Sequence, residues 1–287
     1  MNRIFQLSSR LCDPRYYQIA VLSTLLGCGV FALDFGVRWQ NAAAIIVTAL
    51  GTQLLFTRRL RLPRFDPLSP LITSLSLTLL LRADTPVLAA CAAAIAIGSK
   101  FLIRYRGKHV FNPANVAIVL MMLASEHVWV SSGQWGSTAI SALALSCLGL
   151  LVLTRAKRAE TTVAFLLVFA AMLFARAIWL GDPLAIPAHQ LQNGALLIFA
   201  FFMISDPKTT PDTALGRVLF ATLVAGVAYV IQFVYYVPNG AIFALIIAAP
   251  SVPLIDARLR GRRYQWTPST ARNRTTHSHH PVTGVYR

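Results

Sequence analysis

Apolar blocks separated by short basic clusters run through almost the whole chain, and few folds accept that pattern. The blocks lie at roughly 16–34, 41–57, 67–81, 86–103, 112–124, 138–154, 161–180, 191–204, 212–235 and 239–256. A membrane-crossing helix needs about 20 mostly apolar residues. Hydrocarbon also leaves backbone groups only their own segment to bond with, which selects helices. Of 287 residues, 56% are hydrophobic and 13% are charged, whereas a soluble domain carries about 25% charged residues. The sequence therefore predicts an all-α integral membrane protein of about ten transmembrane helices, with a membrane domain over 1–261.

The net charge of +16 would suggest a nucleic-acid partner in a soluble protein. Here the cations sit between apolar blocks, and no folded basic domain remains to bind nucleic acid. Clusters at Arg58–Arg64, Lys100–Lys108, Arg155–Arg158 and Arg258–Arg263 fall on one side if both termini are cytoplasmic, as retention of Lys and Arg requires. That places 125–137 on the outer face of the membrane. The run after Arg15 is longer than a signal-peptide core and reads as the first span. From 262 to 287 the sequence is basic and lacks an apolar period, so a disordered tail is expected.

Blocks 67–81, 112–124 and 191–204 are short for a straight span. Short or proline-interrupted segments at matching places in two halves mark broken helices around a site near mid-membrane. The prolines repeat in register. Thr85-Pro86 opens the fourth block and Thr210-Pro211 the ninth, 125 residues apart; Pro113 and Pro238 share that separation. Thr then Pro is a helix-start pattern. Five blocks on each side predict two inverted five-helix repeats, about 14–130 and 138–256.

Several chemistries are excluded. His109, His127 and His189 flank blocks rather than occupy them, so paired haem ligands are missing. The carboxylates lie near block ends, away from where a proton-driven transporter keeps one. The four cysteines show no CxxC spacing, and no zinc, iron–sulfur or other metal site is expected. No phosphate-loop or hydrolase motif occurs. What remains is polar chemistry at helix starts. Asn112-Pro113 is an N-cap followed by a first-turn proline, and such ends attract anions. Ser205-Asp206-Pro207-Lys208-Thr209-Thr210-Pro211 is a polar break between two apolar blocks.

Gly107-Lys108-His109-Val110-Phe111-Asn112-Pro113-Ala114 resembles the G-x-H-x-F-N-P-A signature of the RnfD/NqrB membrane subunits. Ser205–Pro211 with Gly216-Arg217 is similar to that family's S/T-D-P-x-[ST]-x-P…G-[KR] motif, and Pro253-Leu254-Ile255-Asp256 to its closing P-L-I-D. The resemblance runs from the third block to Asp256. It implies a ten-helix fold of two inverted halves, a flavin in the membrane domain (FMN or riboflavin), and FMN joined by a phosphoester to the threonine of an outer-face [ST]-G-A-T motif. The matching stretch is Trp135-Gly136-Ser137-Thr138, where Trp135 departs from the pattern. It implies cofactor-binding roles for Thr138, Ser137, Gly136, Asn112, Asn115, Asp206, Lys208 and Thr210. The implied partners are other membrane or periplasmic redox subunits of a translocase-type oxidoreductase complex and a flavin transferase. It further implies electron transfer between cytoplasmic and outer-face carriers, with coupling to ion transport. The chain is shorter than many members, which fits a stand-alone branch such as the relatives associated with enediyne biosynthesis. A channel or carrier of the same fold without flavin, and a scaffold subunit that has lost it, use the same broken helices and stay open as alternatives.

Overall fold

The computed structural model describes residues 13–33, 35–130 and 159–264. Several helices begin where the sequence supplies caps. In α1 (Pro14–Ala32) the Asp13 carboxylate accepts the Arg15 N–H at 3.0 Å, with Pro14 in the first turn. Then come α2 (Trp39–Arg59) and α3 (Leu68–Leu80), the latter entered through an Asp66 carboxylate that accepts the Leu68 N–H. Next is α4 (Pro86–Leu102), capped by the Thr85 hydroxyl. After α4 the chain forms a hairpin of β2 (Arg104–Tyr105) and β3 (Lys108–His109). Its turn residues Arg106 and Gly107 have φ of +49° and +78°, the left-handed pair that a two-residue hairpin needs. Asn112 caps α5 (Pro113–Ala124), and β4 (Val128–Val130) pairs back on β1 (Leu81–Ala83), which follows α3.

The second half contains α6 (Ala159–Leu180), α7 (Ala185–Leu191) and α8 (Gly194–Ile198), which runs into a π-helical turn, Phe199–Met203. It ends with α9 (Ala214–Phe233), α10 (Gly240–Ala248) and α11 (Ser251–Arg258). All nine expected blocks within the described residues are helical. The block at 138–154 lies outside them.

The protein is a mostly helical membrane protein. Among the described residues α2, α6 and α9 are long and apolar enough to cross a bilayer, and α10 with α11, bent by 51°, makes a fourth, broken span. α3, α4, α5 and the α8–π segment are shorter apolar helices. Core side chains such as Leu77, Ile97, Ile118, Phe165, Phe199 and Phe220 join both halves in one cluster. Trp39, Trp179, Tyr235 and Tyr236 are 70–87% exposed at the helix ends opposite the basic loops, where amphipathic rings meet the headgroups.

The two halves share a packing order. α2 lies along α4 and α4 along α5; α6 lies along α9 and α9 along α10. The register differs from the proline spacing. Thr210-Pro211 does not open a helix; α9 starts at Ala214 with Thr213 as its cap. Thr85 and Thr213 are therefore the matching caps, and Asn112 and Asn239 hold matching positions before α5 and α10, although the Asn239 side chain makes no cap bond. The separations are 128 and 127 residues. Proline can sit anywhere in a turn with φ near −65°, so its spacing misled by a few residues.

Candidate functional site

On the side of the basic loops a cavity of about 310 Å³ opens between the starts of α3 and α5, the ends of α2 and α4, and the loop 204–213. Asn112 is central to it. Its side-chain oxygen accepts the Asn115 N–H at 3.1 Å, which caps α5, leaving its amide N–H₂ to donate across to the second half. It reaches the Met203 carbonyl and the Asp206 carboxylate, both at 3.3 Å. Asp206 in turn accepts the Lys208 N–H at 2.9 Å, and its carbonyl accepts the hydroxyls of Thr209 and Thr210. The polar break is thus a folded turn whose carboxylate lines the cavity.

The positive wall was not expected. Lys100 is 5% exposed; its ammonium donates to the Ser69 carbonyl at 3.3 Å, the Ser69 hydroxyl at 3.0 Å and the Thr73 hydroxyl at 2.9 Å. Arg15, Arg64, Arg104 and Lys208 also line the space, against Asp66 and Asp206. Arg15 is partly answered, pairing with Asp13 at 2.7 Å and Asp66 at 2.5 Å. Burial, with Arg15 nearby, lowers the Lys208 pKa against the opposing pull of Asp206. His109 also faces the cavity, its pKa lowered to about 4 by burial first and then by Arg104, Lys100 and Lys208. It is therefore neutral at pH 7. Two buried atoms on lining residues have no hydrogen-bond partner: Gln53 Oε1 and His109 Nδ1. Buried polar atoms are nearly always paired, so these two mark where a ligand's donor would fit.

Of the expected site residues, Asn112, Asp206 and Lys208 come together here. Asn115 lies behind them, 1% exposed, with its amide donating to the Ile242 carbonyl at 3.1 Å. It fastens α5 to α10. Thr210 is fully buried and outside the cavity, so it is neither a helix cap nor a lining residue. Gly136, Ser137 and Thr138 lie outside the described residues. Sequence reading missed Lys100, Gln53, Arg15 and His109. Lys100 looked like an ordinary cation at a block end. Its signal was spacing, since Ser69, Thr73 and Ser76 line one face of α3 opposite it.

A second node, beside the cavity, gathers the remaining motif residues. Lys108, presented by the hairpin, donates to Asp212 at 2.9 Å and Asp256 at 2.8 Å. The other Asp256 oxygen accepts the Asp212 N–H at 2.9 Å. A Cβ on Gly216 would stand 2.9 Å from Ile255, Pro211 and Thr213 atoms, so glycine lets α11 close on the start of α9. Arg217 donates to the Asp212 carbonyl at 3.1 Å and pairs with Glu160 at 3.3 Å. Three stretches far apart in sequence therefore form one lock between the halves. Among the described residues no group of three or more His, Cys, Asp or Glu could hold a metal ion.

Residues 125–265 match the sequence pattern of the NQR2, RnfD, RnfE family. Over these residues the chain is similar to that family. It is similar to the RnfD protein of the ion-translocating oxidoreductase complex of Tolumonas auensis, 38% identical over 80 residues, 28% of this chain and 23% of that protein. The corresponding proteins of Citrobacter koseri and Salmonella paratyphi B are 36% and 38% identical over 110 and 112 residues, each 38% of this chain and 31% of theirs. The matches thus span about a quarter to a third of these relatives' length. The NQR2, RnfD, RnfE segment includes the polar break, Gly216-Arg217 and Pro253–Asp256. The Asn112 signature precedes it in sequence and meets it in space.

Proposed function

We propose that this chain is a flavin-dependent electron-transfer subunit of the bacterial inner membrane, working between cytoplasmic and outer-face carriers within an ion-translocating oxidoreductase assembly. The cavity around Asn112, Asp206 and Lys208 carries the reading. An isoalloxazine ring needs an acceptor for its imide N–H, donors for the flanking carbonyls, and positive charge near the edge that becomes anionic on reduction. Gln53 Oε1 is an unused acceptor, Arg104 and Lys208 supply donors and charge, and Lys100, its own donors held by Ser69 and Thr73, adds only charge. A volume of about 310 Å³ sits at the lower end of the ~300–1,000 Å³ usual for ligand pockets, which suits a flavin ring. The residues fit the group.

When bound, the flavin supplies the redox chemistry. The protein's part is positioning and charge. Ser69 and Thr73 hold the Lys100 ammonium at the wall. Asn112 aims the Asp206 carboxylate, and neutral His109 adds a polar edge without further charge. Thr138, next to Gly136 and Ser137 in sequence, would hold a second flavin through a phosphoester placed by a flavin transferase. The names of the relatives support partners among other membrane redox subunits. The shared packing order of the halves and their matching caps support two inverted five-helix repeats.

The test is flavin content. Protein co-expressed with a flavin transferase should be yellow, release flavin on acid extraction, and keep a fluorescent band on a denaturing gel. Thr138→Ala should lose the gel band and keep the extractable flavin. Asp206→Asn should do the reverse, weakening the extractable flavin on the order of tenfold, the worth of one charge-assisted hydrogen bond. A colourless preparation sinks the reading.

A further inference from the structure

Next to the Lys108 lock, and separate from the flavin cavity's cationic wall, lies a cavity of about 440 Å³. Arg106 and Tyr105 of the hairpin, Arg260 and Arg263 beyond α11, and Val252 and Pro253 at the start of α11 line it. Asp212 and Asp256 are there too, but both already accept from Lys108, and Asp256 also accepts the Asp212 N–H. Four cations face two carboxylates, and no carboxylate lies within pairing distance of Arg106, Arg260 or Arg263 among the described residues. Arg106 only stacks on the Tyr105 ring, 5.4 Å from its centroid.

These guanidiniums do not hang on a loose tail. A Cβ on Gly261 would stand 2.9 Å from Thr213 Cγ2 and 3.1 Å from Asp212 Cβ, so the chain leaving α11 runs tightly against the start of α9. Three residues on, the Tyr264 carbonyl accepts from Lys208 at 3.4 Å. Arg260 and Arg263 lie between or beside these two anchor points. The Arg263 Nη1 lies 3.8 Å from where a Gly107 Cβ would stand, at the tip of the hairpin. Positive charge from both halves is thus concentrated over one hollow.

We propose that this cavity binds the phosphate of an anionic phospholipid headgroup, with Arg106, Arg260 and Arg263 as its ligands. A soluble phosphate would meet the same three groups, and what decides for a lipid is the flank. Leu254, on the helix that walls the cavity, is 70% exposed, and Leu102, just before the hairpin, is 75% exposed. Exposed leucines beside a cationic hollow at the end of apolar helices are where acyl chains and a headgroup meet one protein surface, and basic pockets between helix ends select anionic lipids. The bound phosphate ties the hairpin to the chain after α11 and reinforces the lock from outside. This site stands apart from the flavin reading, since none of the three arginines lines the flavin cavity.

Native mass spectrometry of the detergent-solubilised full chain, titrated with phosphatidylglycerol or phosphatidylcholine, tests it. Phosphatidylglycerol should saturate a site of one lipid, while phosphatidylcholine should bind weakly and without saturation. Arg260→Gln and Arg263→Gln should each weaken phosphatidylglycerol about fivefold, from the usual worth of one basic residue at an anionic surface, with flavin content unchanged. Arg58→Gln with Arg59→Gln, at the basic end of α2, should leave it unchanged. Equal binding of both lipids, or an equal loss in the α2 variant, overturns the proposal in favour of diffuse charge. Inorganic phosphate, added to the unmodified protein, gives a measurement that no folding defect can spoil. It should displace the lipid only at concentrations far above the lipid's own; displacement at matching concentrations would make this a free-anion site and overturn the lipid assignment.

Discussion

At the scale of single residues, Lys108 is one cation set against two carboxylates, all mostly buried. Lys108→Met leaves Asp212 and Asp256 facing each other, with no compensating charge. The expected loss is about 2–3 kcal/mol, below the ~3–5 for a fully buried pair, since the lysine keeps some contact with solvent. Asp256→Asn leaves a single Lys108–Asp212 pair and should cost less than half of that. Thermal unfolding in detergent compares the two, and equal losses would refute the shared-cation account. His109 gives a pH signature. The unfolded chain takes up the proton near pH 6.5, while the folded site resists it until about 4, so the unfolded state binds more protons between those values and stability falls as pH drops through that window. His109→Gln should flatten the midpoint of unfolding between pH 6.5 and 4. Asn112 was legible in the sequence because Asn-Pro ahead of an apolar block is a cap with a local cause. Gln53 and Lys100 were not, because their importance comes from what faces them across two helices.

Elements bring in constraints of a different kind, set by how closely backbones approach. A Cβ on Gly240 would stand 2.7 Å from the Ala228 carbonyl oxygen, whereas at Gly216 the nearest atoms, at 2.9 Å, belong to side chains. Side chains can turn aside and a helix carbonyl cannot, so Gly240→Ala should lower the melting temperature clearly more than Gly216→Ala. The reverse order would show that α9 and α10 can separate cheaply. The π turn at Phe199–Met203 is met by the Thr162 hydroxyl, which donates to the Ala200 carbonyl at 2.5 Å. Thr162→Val should cost about 1 kcal/mol, measurable in the same melts. Block boundaries were legible at the helix starts that Asp13, Thr85 and Asn112 cap. The hairpin at Arg104–His109 was invisible, since two-residue strands carry no alternation to read. Thr210-Pro211 was misread because a turn and a helix start use the same residues, and only the Asp206 carbonyl, which takes both threonine hydroxyls, tells them apart.

For the whole molecule, the governing quantity is the asymmetry between its two faces. Basic loops gather at one set of helix ends, while exposed Trp39, Trp179, Tyr235 and Tyr236 mark the other; by the bias of Lys and Arg, the basic side is expected to be cytoplasmic. In a variant whose native cysteines, including exposed Cys28 and Cys91, are replaced by serine, Tyr236→Cys should react with an impermeant thiol reagent in intact cells. Arg61→Cys should react only after lysis. The opposite pattern inverts the topology and takes Thr138 away from an outer-face transferase. The fold class was legible at this scale because hydropathy is additive along a chain. The inner cavity was not, because it is closed by residues from both halves.

The Lys108 lock also has a consequence in time. Lys108 and Asp256 are 148 residues apart, so at ~5–20 residues per second of synthesis the lysine leaves the ribosome on the order of ten seconds before its second carboxylate exists. Until Asp212 follows, 104 residues after the lysine, the first half waits in the membrane with its hairpin unfastened. Whatever escorts the nascent chain has to tolerate an unanswered cation at the bilayer edge, and the cavity around Asn112 becomes complete only when the Asp206–Lys208 turn arrives.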